Sequence, residues 1–491
     1  MIGSISDICD LCDPDCSGDD SEMKYTKAMV LLFDGARYDV FRDLLNAGRL
    51  PNIEERVVSG GSFLKGYSSL STTTGPAHIP FLYGIYPGTA NVPGIRWFDK
   101  TAKNGGLVGV VLRSYVGPGS FSMPSDIKSG YFPIYDYFER PASIFSSLDN
   151  GNGVNIRNNR LLKVGSYILA HYTHRWEMTD DLASELLKRY LAQGCDFIFA
   201  VFPAIDEITH LHHPRSERVL KQYAKLDGLM GEIFDGLSDE GMEETLVFIV
   251  SDHGLSRTHT HIPLVDLSRS VGYRPVFYPG ILKRKWDVAI MESGNAMASL
   301  YFRDPVEDRP AFYDEFMAVE KNRKFLDLIL SCEGIDFVAY RVEGSTIGVK
   351  GPSGEIRLTF EDDGETKLDL EGLNPLGFGV EGGEMDRDVL AKLSMETIYP
   401  DSPAQLRQLF VSDRTGDLVV FAREGFDLRK RFEWPEHKSS HGSLLKPHME
   451  VPICTNARLS SKWCRTVDVF ATILHLMERE LPPGIDGQVL D

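Results

Sequence analysis

The sequence has no long hydrophobic run, no excess of basic residues and no even set of cysteines. Its apolar stretches fall short of the roughly 18 residues that span a membrane, so no membrane partner is expected. Acidic residues number 71 and basic residues 52, which gives a formal net charge of −19. This balance argues against a nucleic-acid polymer as partner, because tracking a phosphate backbone requires a basic groove.

The cysteines and the N-terminal segment predict a cytoplasmic protein. Seven cysteines, an odd number, indicate a reducing compartment rather than a disulfide framework. The first residues lack the basic and apolar segments of a secretory signal. Cys9, Cys12 and Cys16 lie among aspartates, and we expect residues 1–24 to form a disordered acidic tail. A zinc site completed from elsewhere, or an oxidisable pair, is the alternative.

The length of 491 residues predicts one large domain with insertions, or two domains. We expect a catalytic core built from residues 25–265 and 405–491. An insertion at about 100–175 interrupts this core and shows no motif with recognisable chemistry. Residues 266–404 are rich in predicted strands and turns, and are expected to form a β-rich cap.

Three apolar runs, at residues 28–33, 197–202 and 245–250, have the pattern of buried parallel strands. The first ends at Asp34 and the third at Asp252, which His253 follows. Ligands of open α/β sheets gather at the carboxyl ends of strands. These side chains are therefore candidate site residues.

The second run leads to Asp206 and His210. Four residues separate them, which places both side chains on one face of a helical turn. Carboxylate and imidazole together suit zinc. His212 and His213 compete for the same role, but the spacing favours His210.

Residues 71–78 read Ser-Thr-Thr-Thr-Gly-Pro-Ala-His and predict a tight turn before a helix at 79–86. Gly75 accepts backbone dihedrals that other residues avoid, and Pro76 disfavours helix in the residue before it. Thr74 would then present a hydroxyl at a helix N-terminus, a favourable place for a phosphate. Thr74 is therefore the candidate nucleophile.

Further histidines follow the third run and the apolar run at 417–422, which we assign to the core. His441 precedes a glycine and is a further candidate ligand. His259 and His261 are expected outside the ligand set. The hydroxyl, carboxylates and imidazoles together suffice for two mixed metal sites, which could clamp a phosphoryl transfer and activate Thr74.

The order of these motifs resembles the alkaline phosphatase superfamily, most closely its type I phosphodiesterase/nucleotide pyrophosphatase branch. The resemblance rests on the strand ending in Asp34-Gly, the Thr74 turn with Tyr-Gly-Ile-Tyr-Pro at 83–87, and Asp206 with His210. It continues through Asp252 and His253, then His441-Gly, and ends with Pro-Gly-Ile-Asp-Gly-Gln-Val at 483–489.

The resemblance implies an α/β/α sandwich with a mostly parallel central sheet and an inserted β-rich cap. It implies two divalent metal ions, zinc or alternatively manganese. Asp206, His210 and His441 would hold one ion; Asp34, Asp252 and His253 would hold the other, which also binds the Thr74 oxygen. Thr74 would form a covalent intermediate with a small phosphate-ester substrate.

Two departures bear on the substrate. Sulfatase relatives need a Cys or Ser at the start of a Cys-x-Pro-x-Arg pattern. Thr74 and His78 occupy the ends of that pattern here, so sulfatase chemistry is not expected. Nucleotide pyrophosphatases carry a phosphate-supporting Asn where this chain has Ile95; Asn91 and Arg96 lie nearby and are the candidate substrate-binding residues. Arg96 could grip two phosphate oxygens, which would favour monoesters; a structural role is the alternative.

The leading interpretation is a two-metal phosphodiesterase or nucleotide pyrophosphatase. The runner-up is a phosphomonoesterase or phosphotransferase of the same superfamily. A non-catalytic metal-binding or redox module that keeps the fold is the remaining alternative.

Overall fold

The computed structural model describes residues 25–101, 111–151, 153–278, 285–429 and 435–491. The predicted acidic tail, with Cys9, Cys12 and Cys16, lies outside the described residues. The other four cysteines of the sequence are free thiols: Cys195, Cys332, Cys454 and Cys464.

The strands of the described residues are, in chain order, β1 (Lys27–Phe33), β2 (Ser62–Tyr67), β3 (Arg96–Asp99), β4 (Val111–Ser114), β5 (Pro141–Ile144), β6 (Phe197–Phe202), β7 (Thr245–Val250), β8 (Ser256–His261), β9 (Pro275–Val276), β10 (Val288–Ser293), β11 (Met297–Phe302), β12 (Ile335–Arg341), β13 (Thr346–Gly351), β14 (Gly354–Phe360), β15 (Glu365–Gly372), β16 (Gly383–Asp386), β17 (Leu418–Ala422), β18 (Gly425–Asp427), β19 (Ser439–Ser440), β20 (Glu450–Thr455) and β21 (Trp463–Arg465).

The helices are α1 (Tyr38–Asn46), α2 (Pro51–Ile53), α3 (Ile79–Tyr83), α4 (Met123–Asp126), α5 (Arg160–Thr173), α6 (Glu177–Ala192), α7 (Ala204–Leu211), α8 (Glu217–Asp235), α9 (Asp239–Glu243), α10 (Leu264–Ser270), α11 (Tyr313–Ala318), α12 (Glu320–Leu330), α13 (Arg387–Met395), α14 (Ser402–Val411), α15 (Lys446–Met449) and α16 (Asp468–Leu476). Within the described ranges, no helix combines the length and the apolar character needed to cross a membrane.

The central sheet has seven strands in the order β21-β2-β20-β7-β1-β6-β5. β1 runs parallel to both β6 and β7, and β5 runs parallel to β6. β20 is antiparallel to both of its neighbours. Every residue of β6 and β7 is buried, as expected for strands covered on both faces. The predicted α/β fold with a mostly parallel central sheet is confirmed.

The second sheet has nine strands in the order β16-β15-β14-β13-β12-β17-β11-β10-β9 and corresponds to the predicted β-rich cap. Its pairs are antiparallel except for the short β9–β10 pair. Assigning residues 417–422 to the core is wrong, because β17 pairs with β11 and β12 of this sheet. A short buried apolar run has the same pattern at the centre of either sheet, so the sequence could not distinguish them. The chain rejoins the central sheet at β20.

The segment predicted as an insertion at about 100–175 also contributes to the central sheet. Its strand β5 forms the sheet edge beside β6. A strand of four residues is too short to show a diagnostic periodicity. The same segment supplies α5, two residues of which line the cavity described below.

Candidate active site

The threonine loop buries two of its three hydroxyl groups. Thr72 and Thr73 are fully buried. The Thr72 hydroxyl donates to the carbonyl of Ser443 at 3.0 Å, and the Thr73 hydroxyl lies 3.0 Å from that of Ser71. Both hydroxyls are therefore engaged within the protein.

Thr74 faces the ends of the central strands. Its Oγ1 donates to Asp34 Oδ1 at 3.1 Å and lies 3.1 Å from His253 Nε2. Gly75 follows with a φ of 96°, and a Cβ there would lie 2.6 Å from the Met123 side chain. Glycine is required at this turn, which places the Thr74 hydroxyl beside the candidate ligands. The helix behind it, α3, is shorter than the predicted 79–86.

The carboxylates of Asp34 and Asp252 are adjacent because the strands that precede them are neighbours in the central sheet. Asp34 follows β1 and Asp252 follows β7, and these strands pair in parallel. Gly35 has a φ of 74°, and its N–H donates to Asp252 Oδ1 at 3.3 Å. A Cβ on Gly35 would lie 2.8 Å from the Cα of Asp206. Only glycine therefore allows the three acidic segments to approach this closely.

Asp206 and His210 share one face of α7, as predicted. His210 Nε2 lies 3.4 Å from Asp206 Oδ2, and both residues are buried. The opposite ring nitrogen, Nδ1, donates to the carbonyl of Ser439 at 3.0 Å. Burial acts to raise the pKa of Asp206, but the charge and hydrogen bond of His210 outweigh it and lower the pKa below its usual range.

His441 joins this group from a distant part of the chain. Its ring stacks on that of His253 with centroids 4.1 Å apart, and the His210 centroid lies at 5.1 Å. Burial, with the nearby His253, lowers the pKa of His441 to about 3. The ring is therefore neutral at pH 7, the form that binds metal ions.

The structure contains two groups of three potential ligands, and within each group the ligand atoms lie within 4.8 Å of one another. One group is Asp34, Asp252 and His253; the other is Asp206, His253 and His441. The first group is the set that the resemblance implies for one ion. The second contains His253 where the resemblance implies His210.

The donors of these groups fit divalent cations. Burial and then the neighbouring carboxylates of Asp252 and Asp206 raise the pKa of Asp34 well above its usual value. Among the described residues, the buried Asp206 Oδ1 has no hydrogen-bond partner. A buried polar atom without a partner is costly, and a bound cation would satisfy it and relieve the repulsion between carboxylates.

A cavity of about 310 Å³ opens onto these residues. The predicted site residues that line it are Asp34, Thr74, Arg96, Asp206, His210 and His441. Asp252 and His253 are fully buried. The volume is at the small end of the range for ligand pockets, which suits a small substrate.

Of the two candidate substrate-binding residues, Arg96 and Asn91, only Arg96 lines the cavity. Arg96 lines the cavity, its buried Nε has no hydrogen-bond partner in the described structure, and its guanidinium lies 5.6 Å from the ring of Tyr278. Asn91 does not line the cavity: its side-chain oxygen accepts a hydrogen bond from Ser412 Oγ at 2.6 Å. The carbonyl oxygen of Asn91 also accepts from the guanidinium of Arg414 at 3.0 Å, so this residue is bound to the segment at 412–414, and its role in binding substrate stays a prediction.

Sequence reasoning missed several residues of the cavity: His78, Lys163, Tyr167, Glu207, Asn295 and His437. His78 belongs to the threonine motif, and its Nε2 lies 3.3 Å from Asp252 Oδ2. Burial and the adjacent Asp206 raise the pKa of Glu207 to about 8. Lys163 and Tyr167 are four positions apart on α5, a spacing that marks a shared helix face without indicating what it faces.

The remaining candidate histidines lie elsewhere. His212 and His213 do not line the cavity. His259 is exposed, and His261 pairs with Asp427 at 2.7 Å. These positions agree with the choice of His210.

Comparison with known proteins relates both sequence and fold to one family. Residues 150–444 match the model of the type I phosphodiesterase/nucleotide pyrophosphatase family. No curated protein sequence matches the chain significantly.

Solved structures share the fold at low identity. Murine ectonucleotide pyrophosphatase/phosphodiesterase 5 is 11% identical with a TM-score of 0.57, over 95% of this chain and 100% of that one. An inactive form of that murine protein is in complex with AMP. Phosphonoacetate hydrolase from Sinorhizobium meliloti is 13% identical with a TM-score of 0.54, over 93% of this chain and 96% of that one.

The family is metal-dependent, and the described residues contain two candidate groups of metal ligands. The match covers more than half of the chain, and the fold agrees with the alkaline phosphatase superfamily. The chain belongs to the type I phosphodiesterase/nucleotide pyrophosphatase family and is a phosphoester hydrolase.

Proposed function

We propose that this protein is a two-metal phosphodiesterase or nucleotide pyrophosphatase that acts through a covalent intermediate on Thr74. The position of the Thr74 hydroxyl, 3.1 Å from both Asp34 and His253, carries the proposal. A hydroxyl is a weak nucleophile unless a neighbouring base or metal activates it. Thr74 is the one of the three adjacent threonines whose hydroxyl lies among candidate ligands.

Asp206, His210 and His441 would hold one ion, and Asp34, Asp252 and His253 the other. The mixture of imidazole and carboxylate donors favours zinc, with manganese as the alternative. Two bound cations would lower the pKa of the Thr74 hydroxyl and stabilise negative charge on the phosphoryl oxygens.

The protein's own residues then act in two displacements. The Thr74 hydroxyl first loses its proton to water. Its Oγ1 then attacks phosphorus, a new O–P bond forms, and the bond to the leaving oxygen breaks with its electron pair on that oxygen. Water next attacks the same phosphorus, the O–P bond to Thr74 breaks, and Thr74 regains a proton from that water. Arg96 would hold two oxygens of the phosphoryl group during both steps.

A phosphomonoesterase is the second candidate, and the Arg96 guanidinium in the cavity favours it. A monoester carries one more anionic oxygen than a diester, and a guanidinium binds two oxygens at once. A phosphotransferase differs only in that an alcohol replaces water in the second displacement.

Paired substrates separate these candidates. The turnover of a nitrophenyl phosphate monoester should be compared with that of the nitrophenyl ester of a nucleoside monophosphate. A higher kcat/KM on the diester supports the proposal, and a higher kcat/KM on the monoester favours the second candidate. Turnover of neither substrate by metal-loaded protein would contradict both.

A further inference from the structure

A turn between two strands of the second sheet reaches into the reaction cavity. β10 and β11 pair in antiparallel fashion, and residues 294–296 form the turn between them. Gly294 and Asn295 line the same cavity as Thr74. Thr74 itself follows β2 of the central sheet, so the two sheets supply different walls of this cavity.

Backbone hydrogen bonds hold this turn against His441. The His441 N–H donates to the carbonyl of Gly294 at 3.0 Å, and the N–H of Ala296 donates to the carbonyl of His441 at 3.0 Å. The approach is close, because a Cβ on Gly294 would lie 2.6 Å from His441 Nδ1. Asn295 lies between these two bonded residues and is therefore fixed beside a candidate ligand.

Asn295 combines an uncommon backbone conformation with an amide that has no partner. Its φ is 70°, in the left-handed region that asparagine tolerates better than most residues with a Cβ. Only 9% of its surface is exposed, and none of the described residues forms a hydrogen bond with its side-chain amide. A buried amide without partners is costly, so we expect a group in the cavity to complete its hydrogen bonds.

The geometry of the two displacements indicates which group this is. An in-line displacement places the entering and leaving oxygens on opposite sides of phosphorus. Thr74 bonds to phosphorus from the central sheet, so the water of the second displacement enters from the other side. The phosphoryl oxygens already have donors in Arg96 and in the candidate metal sites, whereas the entering water also needs a hydrogen-bond acceptor.

We propose that Asn295 positions the water of the second displacement. Its Oδ1 accepts a hydrogen bond from one O–H of the water while the water oxygen attacks phosphorus and the O–P bond to Thr74 breaks. The other water proton passes to Thr74, the bonded proton stays on the new P–OH group, and Asn295 neither gains nor loses a proton. A neutral amide offers an acceptor without placing a further negative charge beside the anionic phosphoryl group. This inference rests on the proposed function and adds a positioning residue to its second step.

The test measures the two displacements separately in a single turnover of the nitrophenyl ester of a nucleoside monophosphate. Release of nitrophenolate reports the first displacement, and release of the nucleoside monophosphate from Thr74 reports the second. With metal ions in excess, Asn295→Gly should lower the rate constant of the second displacement about tenfold or more, the loss expected for one hydrogen bond. The first rate constant should change less than about twofold, because this contact forms only with the entering water.

Two readouts do not depend on the rate of turnover. In quenched samples, peptide mass analysis should find the covalent group on Thr74 in a larger fraction of Asn295→Gly chains than of wild-type chains. Glycine adopts a φ of 70° without strain, so the thermal unfolding midpoint and the metal content of this variant should stay close to those of the wild type.

Two further variants sharpen the comparison. Asn295→Asp keeps an acceptor oxygen, and its added charge repels the phosphoryl group in both displacements alike. The ratio of the second rate constant to the first should therefore stay closer to the wild-type value than in Asn295→Gly. His174→Gly replaces another residue with a left-handed φ, 54°, which lies at the end of α5 and outside the cavity, and should leave both displacements unchanged.

The outcomes separate this inference from the proposed function. Release of both products at wild-type rates by Asn295→Gly, or an equal slowing of both displacements, would overturn the inference while the proposed function stands. Release of no nitrophenolate by the metal-loaded wild type would contradict the proposed function itself.

Discussion

The imidazole of His441 donates a hydrogen bond from Nδ1 to the carbonyl oxygen of Thr72 over 2.8 Å, although 369 positions separate the two residues. The bond fixes the ring tautomer and leaves Nε2 free to act as a ligand. The Thr72 hydroxyl also accepts from the N–H of Gly442 at 3.0 Å. The loop of the candidate nucleophile and the segment of a candidate ligand are thus held in one arrangement.

Loss of the Thr72 hydroxyl should weaken metal binding. Thr72→Val keeps the shape of the side chain but leaves the Gly442 N–H and the Ser443 carbonyl without this partner. Removing such supporting hydrogen bonds typically lowers metal affinity about tenfold to 100-fold. Chelator titration should show this loss for Thr72→Val, whereas Thr72→Ser should match the wild type. Equal affinities for all three proteins would show that the hydroxyl has no role in positioning the ligand.

Loss of either imidazole that is proposed to hold an ion together with Asp206 should remove metal and activity together. His210→Ala and His441→Ala each delete a proposed ligand, and elemental analysis of purified protein should show about one ion fewer per chain. His259→Ala changes an exposed histidine outside the cavity and serves as the matched control. Full metal occupancy in both ligand variants would mean that other histidines hold the ion.

Arg96 should contribute to the reaction rather than to stability. Arg96→Met removes the proposed contacts to the phosphoryl oxygens and should lower kcat/KM about tenfold or more. Arg96→Lys keeps the charge but cannot bind two oxygens in the same fork, so recovery should be partial. An unchanged kcat/KM in Arg96→Met would assign this side chain a structural role.

A buried ion pair should contribute strongly to stability. Lys100 Nζ lies 3.0 Å from Asp417 Oδ2, and both side chains are almost completely buried. The same carboxylate accepts from the backbone N–H groups of Phe302 and Ala311. Lys100→Met leaves the carboxylate without its cation, which typically costs about 3–5 kcal/mol. Urea unfolding should show a clearly lower midpoint for Lys100→Met than for Lys188→Met, which removes a lysine of α6 that pairs with Glu185 and Glu232.

The sequence predicts the candidate ligands at the strand ends better than the other residues that line the cavity. Asp34 and Asp252 follow long buried strands, and parallel pairing of those strands necessarily brings their ends together. Lys163 reaches the cavity only through the position of α5, and no residue type or spacing near it marks that position.

Closeness in sequence was misleading for the substrate residues. Arg96 and Asn91 are five positions apart, yet only Arg96 lines the cavity, because Asn91 is held by Ser412 and by the guanidinium of Arg414. The sequence also misplaces β17, because its apolar run is typical of any central strand and its partners are set by distant segments.

The nucleophile is the central claim, and a single variant tests it most directly. Thr74→Ala should lower turnover of the nitrophenyl nucleotide by several orders of magnitude, because both displacements pass through this oxygen. The variant should retain two metal ions per chain and its affinity for the nucleotide product. Thr73→Val, which changes a buried hydroxyl bonded to Ser71, should keep near-normal turnover.

Rapid quenching of the wild-type reaction, followed by peptide mass analysis, measures the intermediate itself. The account predicts a phosphoryl or nucleotidyl group on Thr74 that is absent from Thr74→Ala. Modification of Thr73 instead, or near-normal turnover by Thr74→Ala, would contradict it.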